Sequence, residues 1–423
     1  MGIYSDRAQL MDDDCSLLLM YKARVQSNQY DEKQNPDGIC NLGVAENHLC
    51  EEELIEKMKS VSTWSSQFNY YPDSSGELSF RERLCTFFNE VFGSMQATLD
   101  PHRMLISSGV SGAIALLSVL IADVGDVFLI ASPYYTAFDF DVAAMARNSL
   151  IKCPLANQDT GEFSFSVEIF KQGYDNAIAK NLRPRGIILV NPHNPLGDIY
   201  DEATTRSVLE FAAEKELHVI ADEIYALSVF QDQKPFKSIL SYTSLPDPSR
   251  THFLWSFSKD FALSGTRVGV IYAGTTDICR VGSKLNFLLV PSIAIQITLK
   301  SILDDREWTN AYLKLNQVRL TEQYQKAKKK IEQIDTRIHV RDSQAGLFLW
   351  IDFRLMLTQI TFDEEHKLFD EFFHHGVYIT NGLVIGCSEP GWFRMIFTVK
   401  DAWIDEGIER MKQALRTYKS GSL

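Results

Sequence analysis

The sequence lacks the features that cross-link a chain or anchor it in a membrane. Its seven cysteines are scattered: Cys15, Cys40, Cys50, Cys85, Cys153, Cys279 and Cys387. Their number is odd and no two stand at metal-ligand spacing, so the pattern indicates neither a disulfide framework nor a zinc site. No apolar run approaches the roughly eighteen residues that span a bilayer. We therefore expect a protein of a reducing compartment, without a metal centre.

The sequence has fewer basic than acidic residues. The chain has 42 Lys plus Arg against 55 Asp plus Glu, a formal net charge of −13. This balance argues against nucleic acid or an anionic membrane as a partner. The first fifteen residues, MGIYSDRAQLMDDDC, contain no apolar core of a secretory signal. We expect a cytoplasmic protein.

What the sequence does contain is an alternation of short apolar runs with amphipathic ones, beginning near residue 103. Continuous apolar runs are typical of strands buried on both faces, and here they cover residues 127–131, 186–191, 218–223, 253–258 and 267–274. Residues 111–122 and 203–217 read as helices between them. The pattern predicts an α/β fold with a mostly parallel central sheet flanked by helices.

A second, smaller α+β domain is predicted after a long polar helix at residues 307–334. Residues 345–353 and 392–397 read as its strands, and residues 362–376 as a helix between them. The predicted division is an N-terminal arm with part of the small domain over residues 1–50, a large domain over 51–305 and the small domain over 306–423.

The segment SFSKDFALSGTRVG, residues 256–269, suggests an anchor for pyridoxal phosphate. Lys259 is framed by hydroxyls, and Arg267 follows eight residues later. A covalent anchor needs a lysine that can lose its proton, and the phosphate needs donors that Ser256 and Arg267 can supply. The alternative is a surface lysine in a serine-rich loop.

Two more segments follow predicted buried strands. In NPHNPLG, residues 191–197, the amide of Asn194 can donate to a ligand oxygen. In ADEIY, residues 221–225, a buried Asp222 needs a cation such as a pyridinium N–H, and Tyr225 can share the cofactor's phenolate oxygen with Asn194. A protonated ring withdraws electrons, which stabilises the carbanion left when Lys259 removes an α-proton.

Weaker signals surround these motifs. In SSGVSGA, residues 107–113, the free N–H groups of Val110 and Ser111 at a helix start suit a phosphate. Tyr135 follows a strand end and can stack on a flat ring, although a core aromatic is an equal reading. Arg394 alternates out of an apolar strand and offers a planar fork of donors to a substrate carboxylate; an interdomain ion pair is the alternative.

With these motifs in order, the chain from about Asn35 resembles the class I/II aminotransferase family, which has the aspartate aminotransferase fold (fold type I of pyridoxal phosphate enzymes). Its segments are most similar to those of the 1-aminocyclopropane-1-carboxylate synthases. The marks of this similarity include NPDGICNLGVAEN at residues 35–47, SxSKDxxLxGxRVG at residue 256 and CSEPGWFR at residues 387–394. Of these, the LGVAEN and EPGWFR segments are the specific ones, because other aminotransferases resemble the chain mainly at the cofactor motifs.

The resemblance implies a role for each candidate residue. Lys259 becomes the lysine that bonds to the cofactor, Asp222 the partner of the pyridine nitrogen, and Arg394 the carboxylate ligand. Asn194 and Tyr225 bind the ring oxygen, Tyr135 stacks on the ring, and Ser256, Arg267, Ser111 and Val110 hold the phosphate. Glu46 faces a sulfonium substrate. Tyr71, or its neighbour Tyr70, reaches the phosphate of the other subunit, which implies a homodimer with shared active sites.

The implied reaction is conversion of S-adenosylmethionine to 1-aminocyclopropane-1-carboxylate and methylthioadenosine. Four positions depart from the synthase pattern, all on the substrate side: Phe140, Ala262, Ser264 and Thr266. Two alternatives therefore stay open. One is an aminotransferase or carbon–sulfur β-lyase acting on a small amino acid, and the other is a catalytically silent binding homologue.

Overall fold

The computed structural model describes residue 3 and residues 17–93, 98–157, 160–230 and 235–420. The helices are α1 Leu17–Ser27, α2 Glu51–Val61, α3 Leu78–Phe92, α4 Gly109–Ile121, α5 Ala137–Ala144, α6 Val167–Ala179, α7 Glu202–Glu214, α8 Phe257–Asp260, α9 Thr276–Asn286, α10 Ile293–Asp304, α11 Arg306–Glu332, α12 Phe362–His374 and α13 Asp401–Ser420. The strands are β1 Cys40–Asn41, β2 Met104–Ser108, β3 Val127–Ser132, β4 Ser149–Pro154, β5 Pro184–Val190, β6 His218–Asp222, β7 Thr251–Ser256, β8 Val268–Tyr272, β9 His339–Arg341, β10 Phe348–Asp352, β11 Val377–Tyr378, β12 Thr380–Asn381 and β13 Trp392–Ile396.

A seven-stranded sheet forms the centre of the larger part, in the order β2-β8-β7-β6-β5-β3-β4. Neighbouring strands pair in parallel along the part of the sheet that runs β7-β6-β5-β3-β4. Strand β8 runs antiparallel to both of its neighbours, β7 and β2. Each of the five apolar runs in the sequence is a strand of this sheet. The predicted mostly parallel α/β architecture is confirmed.

The central strands are apolar throughout because both faces of the sheet are covered. Successive residues of β3 enter different core clusters: Phe128 and Ile130 pack on one face, and Leu129 packs on the other. The same division separates Leu254 from Trp255 in β7. Successive side chains of a strand point to opposite faces, so burial on both faces requires an unbroken apolar run.

A smaller part is built on the sheet β12-β13-β10-β9, whose neighbours all pair antiparallel. The two-residue strand β1 pairs in parallel with β11 beside it. Val25 and Leu42 share one buried cluster with Phe393 and other residues of the C-terminal part. The N-terminal segment thus packs with the C-terminal residues. The domain limits 1–50, 51–305 and 306–423 remain a prediction, and residues 1–2 and 4–16 of that arm lie outside the described residues.

Helix α11 contributes residues to the cores of both parts. Tyr312 lies in the core of the larger part, whereas Leu320 and Tyr324 lie in the core of the smaller part. Among the described residues, no helix is both long and apolar enough to cross a membrane. The carboxyl ends of β5, β6 and β7 share one edge of the central sheet, where ligands of open α/β sheets commonly bind.

Candidate active site

A cavity of about 580 Å³ opens at this edge, between the central sheet and the smaller part. It brings together most of the residues that the sequence singled out. The predicted residues in its lining are Glu46, Val110, Ser111, Tyr135, Asn194, Asp222, Tyr225, Lys259, Arg267 and Arg394.

Lys259 enters the cavity from the single-turn helix α8, which begins directly after β7. The hydroxyl of Ser256 caps this turn by accepting from the backbone N–H of Ser258 at 3.0 Å. The Lys259 Nζ donates to the backbone oxygen of Ala45 at 2.6 Å. Burial, followed by the nearby charge of Arg394, lowers the pKa of Lys259 to about 8. The amine can therefore lose its proton near neutral pH.

Asp222 ends β6 and is almost fully buried. Its Oδ1 accepts from the backbone N–H of Ile224 at 3.2 Å, and no described residue forms an ion pair with it. Burial and the nearby Asp141 raise its pKa to about 7. A buried carboxyl without a cation is costly in isolation, so the site is suited to a ligand that brings a positive N–H.

Arg394 reaches the cavity from β13 in the smaller part. It is 2% exposed, and its Nη1 donates to Asn194 Oδ1 at 3.1 Å while its Nη2 donates to the Gly43 oxygen at 2.8 Å. Its Nε has no hydrogen-bond partner among the described residues. The guanidinium thus ties both parts together and retains a donor for a ligand. Tyr225 lies in the same lining, and burial raises its pKa, so its hydroxyl stays a neutral donor.

The opposite end of the cavity lies at the start of α4. Val110 and Ser111 occupy its first turn, where backbone N–H groups have no partner within the helix. Gly109 has a φ of +67°, and a Cβ there would lie 2.6 Å from the guanidinium of Arg267. Only glycine permits this approach, which holds Arg267 beside the helix start. Together they form a cradle for an anion.

Tyr135 and Ser256 are placed differently. Tyr135 lines the cavity and contacts Phe138 edge to face. Ser256 is fully buried and does not line the cavity; its hydroxyl bonds to Ser258 Oγ at 2.7 Å and to the Val268 oxygen at 2.9 Å. Ser258 lines the cavity instead. The sequence pattern framed Lys259 with both serines, but only the fold distinguishes the capping serine from the lining one.

Tyr71 does not line the cavity of its own chain. It is 89% exposed and its ring lies 6.0 Å from that of Phe287. Tyr70 is also exposed, as are Trp64 and Leu288.

The mouth of the cavity carries charges of both signs. Glu46 is exposed there, with its Oε2 3.9 Å from His48 Nε2. Lys22, on α1, lines the same cavity and forms no hydrogen bond or ion pair with another described residue. Phe140 is half-exposed and apolar in the same lining. Lys22 was not singled out from the sequence, because nothing in its helix pattern indicates contact with a cavity.

Asp141 was also missed. It lies on the short helix α5 and lines the cavity, although it is only 6% exposed. Two alternating acidic residues, Asp139 and Asp141, read in sequence as a solvated helix face. The structure buries Asp141 within the site.

The sequence also matches a known protein family. The sequence model described as aminotransferase class I and II covers residues 38–411. The chain belongs to the class I/II aminotransferase family. The family depends on pyridoxal phosphate, and pyridoxal 5′-phosphate is the cofactor of this member.

Relatives within the family include 1-aminocyclopropane-1-carboxylate synthase-like protein 1 of Takifugu rubripes, 34% identical over 93% of this chain and 64% of its own length. The probable inactive 1-aminocyclopropane-1-carboxylate synthase-like protein 2 of Homo sapiens is 33% identical over 93% of this chain and 69% of its own. The chain thus spans about two thirds of the length of these aminotransferase relatives. The solved N-succinyldiaminopimelate aminotransferase of Mycobacterium tuberculosis shares the fold, with a TM-score of 0.77 and 20% identity over 97% of this chain and all of that one.

The residues of this family member fit the cofactor. Asp222 has no ion-pair partner among the described residues, the cradle of Gly109 and Arg267 suits a phosphate, and Lys259 supplies an amine of lowered pKa. Each feature by itself has a structural explanation. Their presence in one cavity gives them complementary partners on a single ligand: a ring nitrogen, a phosphate and an aldehyde.

Proposed function

We propose that this pyridoxal phosphate enzyme removes the α-proton of an amino acid, and that its substrate is S-adenosylmethionine, which it converts to 1-aminocyclopropane-1-carboxylate and methylthioadenosine. The observation that carries the proposal is the common cavity of Lys259, Arg394 and Asp222. A base, a carboxylate ligand and a ring-nitrogen partner together are the parts that chemistry at an α-carbon requires.

Each residue has a separate task. The cofactor, when bound, supplies an electron sink for the charge that develops at the α-carbon. Asp222 keeps the ring nitrogen protonated, and Asn194 and Tyr225 donate to the ring oxygen. Tyr135 stacks on the ring. Val110, Ser111 and Arg267 hold the phosphate; Ser256 acts in the same region by shaping the turn that presents Ser258 to the cavity.

Lys259 takes the proton from the α-carbon. Its lowered pKa makes the free amine available at neutral pH, and the bond to the Ala45 oxygen holds the Nζ near the loop that carries Glu46. Arg394 binds the α-carboxylate and thereby fixes which bond of the α-carbon faces Lys259. With the proton removed, the electron pair at the α-carbon forms a bond to the γ-carbon as the bond from the γ-carbon to sulfur breaks.

Glu46 supports a sulfonium substrate because its carboxylate stands at the cavity mouth, where a positive sulfur is attracted. Leaving-group departure then needs no acid, since the neutral thioether leaves with the bonding pair. The similarity to the 1-aminocyclopropane-1-carboxylate synthase-like protein 1 of Takifugu rubripes supports this choice of reaction.

One observation favours a second candidate, an aminotransferase or a carbon–sulfur β-lyase acting on a small amino acid. Lys22, which has no ion-pair partner in the described part of the chain, places an ammonium in the same lining, and this charge repels a sulfonium and attracts an anionic side chain. Phe140 adds an apolar surface beside it. All these reactions begin with the same proton transfer to Lys259, so the substrate's side chain decides between them.

Product analysis tests the proposal. Purified protein loaded with cofactor is incubated with S-adenosylmethionine, and 1-aminocyclopropane-1-carboxylate and methylthioadenosine are measured by mass spectrometry. We expect both products, none with Lys259→Ala, and unchanged yield with Lys284→Ala, an exposed lysine outside the cavity. Turnover of amino acids alone would establish the second candidate, and cofactor binding without any turnover would establish a silent binding homologue.

Two charge-neutralising variants at the cavity mouth sharpen the choice. For S-adenosylmethionine, Glu46→Gln should raise KM and Lys22→Gln should lower it, each by roughly three- to tenfold for a partly solvated charge. For an amino acid with an anionic side chain, both signs reverse. Equal effects of a variant on both substrates would show that the residue does not contact the side chain.

We also propose a homodimer in the cytoplasm. Trp64, Tyr70, Tyr71, Phe287 and Leu288 are large apolar residues that are exposed in the single chain. A second copy that covers them would bring Tyr71 to the phosphate of its partner's cofactor.

A further inference from the structure

Asp141 is a buried carboxyl in the cofactor cavity to which the proposed mechanism gives no task. It lies on α5 and is 6% exposed, and its Oδ2 has no hydrogen-bond partner among the described residues. The hydroxyl of Ser111 bonds to the same carboxyl. Buried polar atoms are nearly always paired, so an orphaned carboxyl oxygen in a ligand cavity indicates that a ligand completes it.

No described residue forms an ion pair with Asp141, although one cation lies near it. From α4 it faces the Ser111 hydroxyl, from the turn before β8 the cation of Arg267, and from β6 the acid Asp222. Tyr135, just before α5, contributes a neutral phenol. Lys152 on β4, the other element against α5, lies with its Nζ 5.8 Å from the ring of Tyr134. On α5 itself, Asp139 accepts from the hydroxyl of Tyr134 at 2.6 Å.

Cofactor binding adds negative charge to this surrounding. Ser111 and Arg267 are the residues that we assign to the phosphate, and both lie beside Asp141. A phosphate and an ionised carboxylate would then compete for Arg267 in a buried space, where like charges at short range strongly disfavour joint ionisation. A protonated carboxyl avoids this repulsion and adds a donor for a phosphate oxygen.

We infer that Asp141 binds the cofactor phosphate as a neutral carboxylic acid, so that cofactor loading is coupled to protonation of Asp141. The inference rests on the proposed placement of the phosphate at Ser111 and Arg267. Asp141 is then a cofactor-binding residue: when protonated it donates a hydrogen bond to the phosphate, and when ionised it repels the phosphate.

The direction of the pH effect follows from linkage. Burial raises the pKa of Asp141 to about 7 in the free cavity, and a bound phosphate raises it further. Below pH 7 Asp141 is already protonated before the cofactor binds, so lowering the pH further does not raise cofactor affinity. Above pH 7 a proton must be taken up, so affinity falls by up to about tenfold for each pH unit until the pKa of the bound state is reached.

The Asp141→Asn variant isolates this effect. Asparagine keeps the size and a permanent N–H donor but does not titrate. Cofactor dissociation constants of both proteins are measured between about pH 6 and 9 by equilibrium dialysis. Deprotonation of Lys259 affects both proteins alike, so it cancels in the ratio of wild-type to variant dissociation constants. We expect this ratio to be constant below pH 7 and to rise above it by up to about tenfold per pH unit.

Two controls identify the phosphate as the partner. Pyridoxal, which lacks the phosphate, should give a ratio that does not change with pH. Asp139→Asn makes the same charge change on the same helix, outside the cavity lining, and should leave the wild-type profile unaltered. A flat ratio with pyridoxal phosphate, or an equal rise with pyridoxal, overturns the inference.

A measurement on the wild-type protein covers the case in which Asp141→Asn does not fold. Proton uptake on loading at about pH 8 is measured with an indicator dye in weak buffer, and pyridoxal phosphate should take up roughly one proton more than pyridoxal. Equal uptake contradicts the inference. If the wild-type protein binds both compounds with equal proton uptake, only the role of Asp141 is disproved. If it binds neither compound, the proposed function is disproved as well.

Discussion

Arg394 shows how much a single side chain contributes to this site. Its guanidinium contacts Asn194 from the larger part and Gly43 from the N-terminal segment, while Nε remains without a described partner. One residue thus links two structural units and also offers the donor that we propose for the substrate carboxylate. Lysine has the same charge but no planar fork, so it can perform only part of this work.

We predict that Arg394→Lys lowers kcat/KM for the substrate by roughly 10- to 100-fold. The loss corresponds to about 1.5–3 kcal/mol, the contribution of a hydrogen bond to a charged group. Steady-state kinetics of the loaded enzyme measure it, with Arg416→Lys on the exposed face of α13 as the control. An unchanged kcat/KM would place the substrate carboxylate elsewhere.

The sequence predicted the site residues that stand in motifs, and it missed those that reach the site through packing. Lys259, Asp222 and Asn194 follow strand ends, so their convergence could be anticipated from the parallel sheet. Lys22 and Asp141 lie on helices whose orientation toward the cavity depends on tertiary contacts. For the same reason the sequence did not show that Ser256 caps the turn while Ser258 lines the cavity.

At the scale of elements, the start of α4 depends on one glycine. Gly109 combines a φ of +67° with the close approach of Arg267. Gly125 also has a positive φ, +87°, but nothing lies within 4 Å of the position of its Cβ. Substitution of alanine at both positions therefore distinguishes the effect of backbone strain, common to both, from the effect of crowding Arg267, which occurs only at Gly109.

We predict that Gly109→Ala weakens cofactor binding by about tenfold or more, because the methyl group displaces Arg267 from the helix start. Gly125→Ala should cost a similar backbone strain of about 1 kcal/mol without changing cofactor affinity. Equilibrium dialysis and thermal unfolding of both variants distinguish the effects. Equal cofactor affinity in the two variants would argue against a phosphate at this helix start.

Near the start of strands β6 and β7 lies a pair of histidines, of which His252 is fully buried and His218 partly buried. His218 Nδ1 and His252 Nε2 are 3.0 Å apart, and His252 Nδ1 accepts from the Gly274 N–H. Burial lowers the pKa of His218 to about 4 and that of His252 to about 3. Both rings are therefore neutral in the folded protein at pH values where they are protonated in the unfolded chain.

This pair predicts a loss of stability in acid. The contribution is complete above the unfolded pKa of about 6.5 and is lost as pH falls toward 4, at up to about 1.4 kcal/mol per pH unit for each proton taken up on unfolding. Urea unfolding at several pH values should show a smaller pH dependence for His252→Gln than for the wild type. His339→Gln, an exposed histidine, is the control. An identical slope in His252→Gln would contradict the prediction.

Element boundaries followed the sequence closely where apolar runs were continuous. The run at residues 127–131 became β3, and the polar stretch at 307–334 became α11. Strand β4 was not predicted: it is an edge strand with mixed exposure, and its apolar pattern is weak. The antiparallel direction of β8 depends on how the chain returns to the sheet, which local residue pattern does not encode.

At the scale of the whole molecule, the proposed homodimer makes a prediction about shared sites. If Tyr71 serves the partner's cavity, a dimer of one Tyr71→Ala chain and one Lys259→Ala chain contains one intact site and one site with both defects. Mixing the two inactive variants under conditions of subunit exchange should restore about a quarter of the wild-type activity. Native mass spectrometry confirms that mixed dimers have formed. If these dimers are inactive, Tyr71 does not contribute to the partner's site.

The pairing of β1 with β11 has a consequence for how the chain acquires its activity during synthesis. Gly43 and Arg394 are 351 residues apart, yet both line the cavity and a hydrogen bond joins them there. The segment that carries Glu46 must therefore remain without its partner until nearly the whole chain has left the ribosome. Contacts of such large sequence separation form late. The central sheet can assemble first, but a nascent chain that has not yet extended past β13 cannot have a complete substrate site.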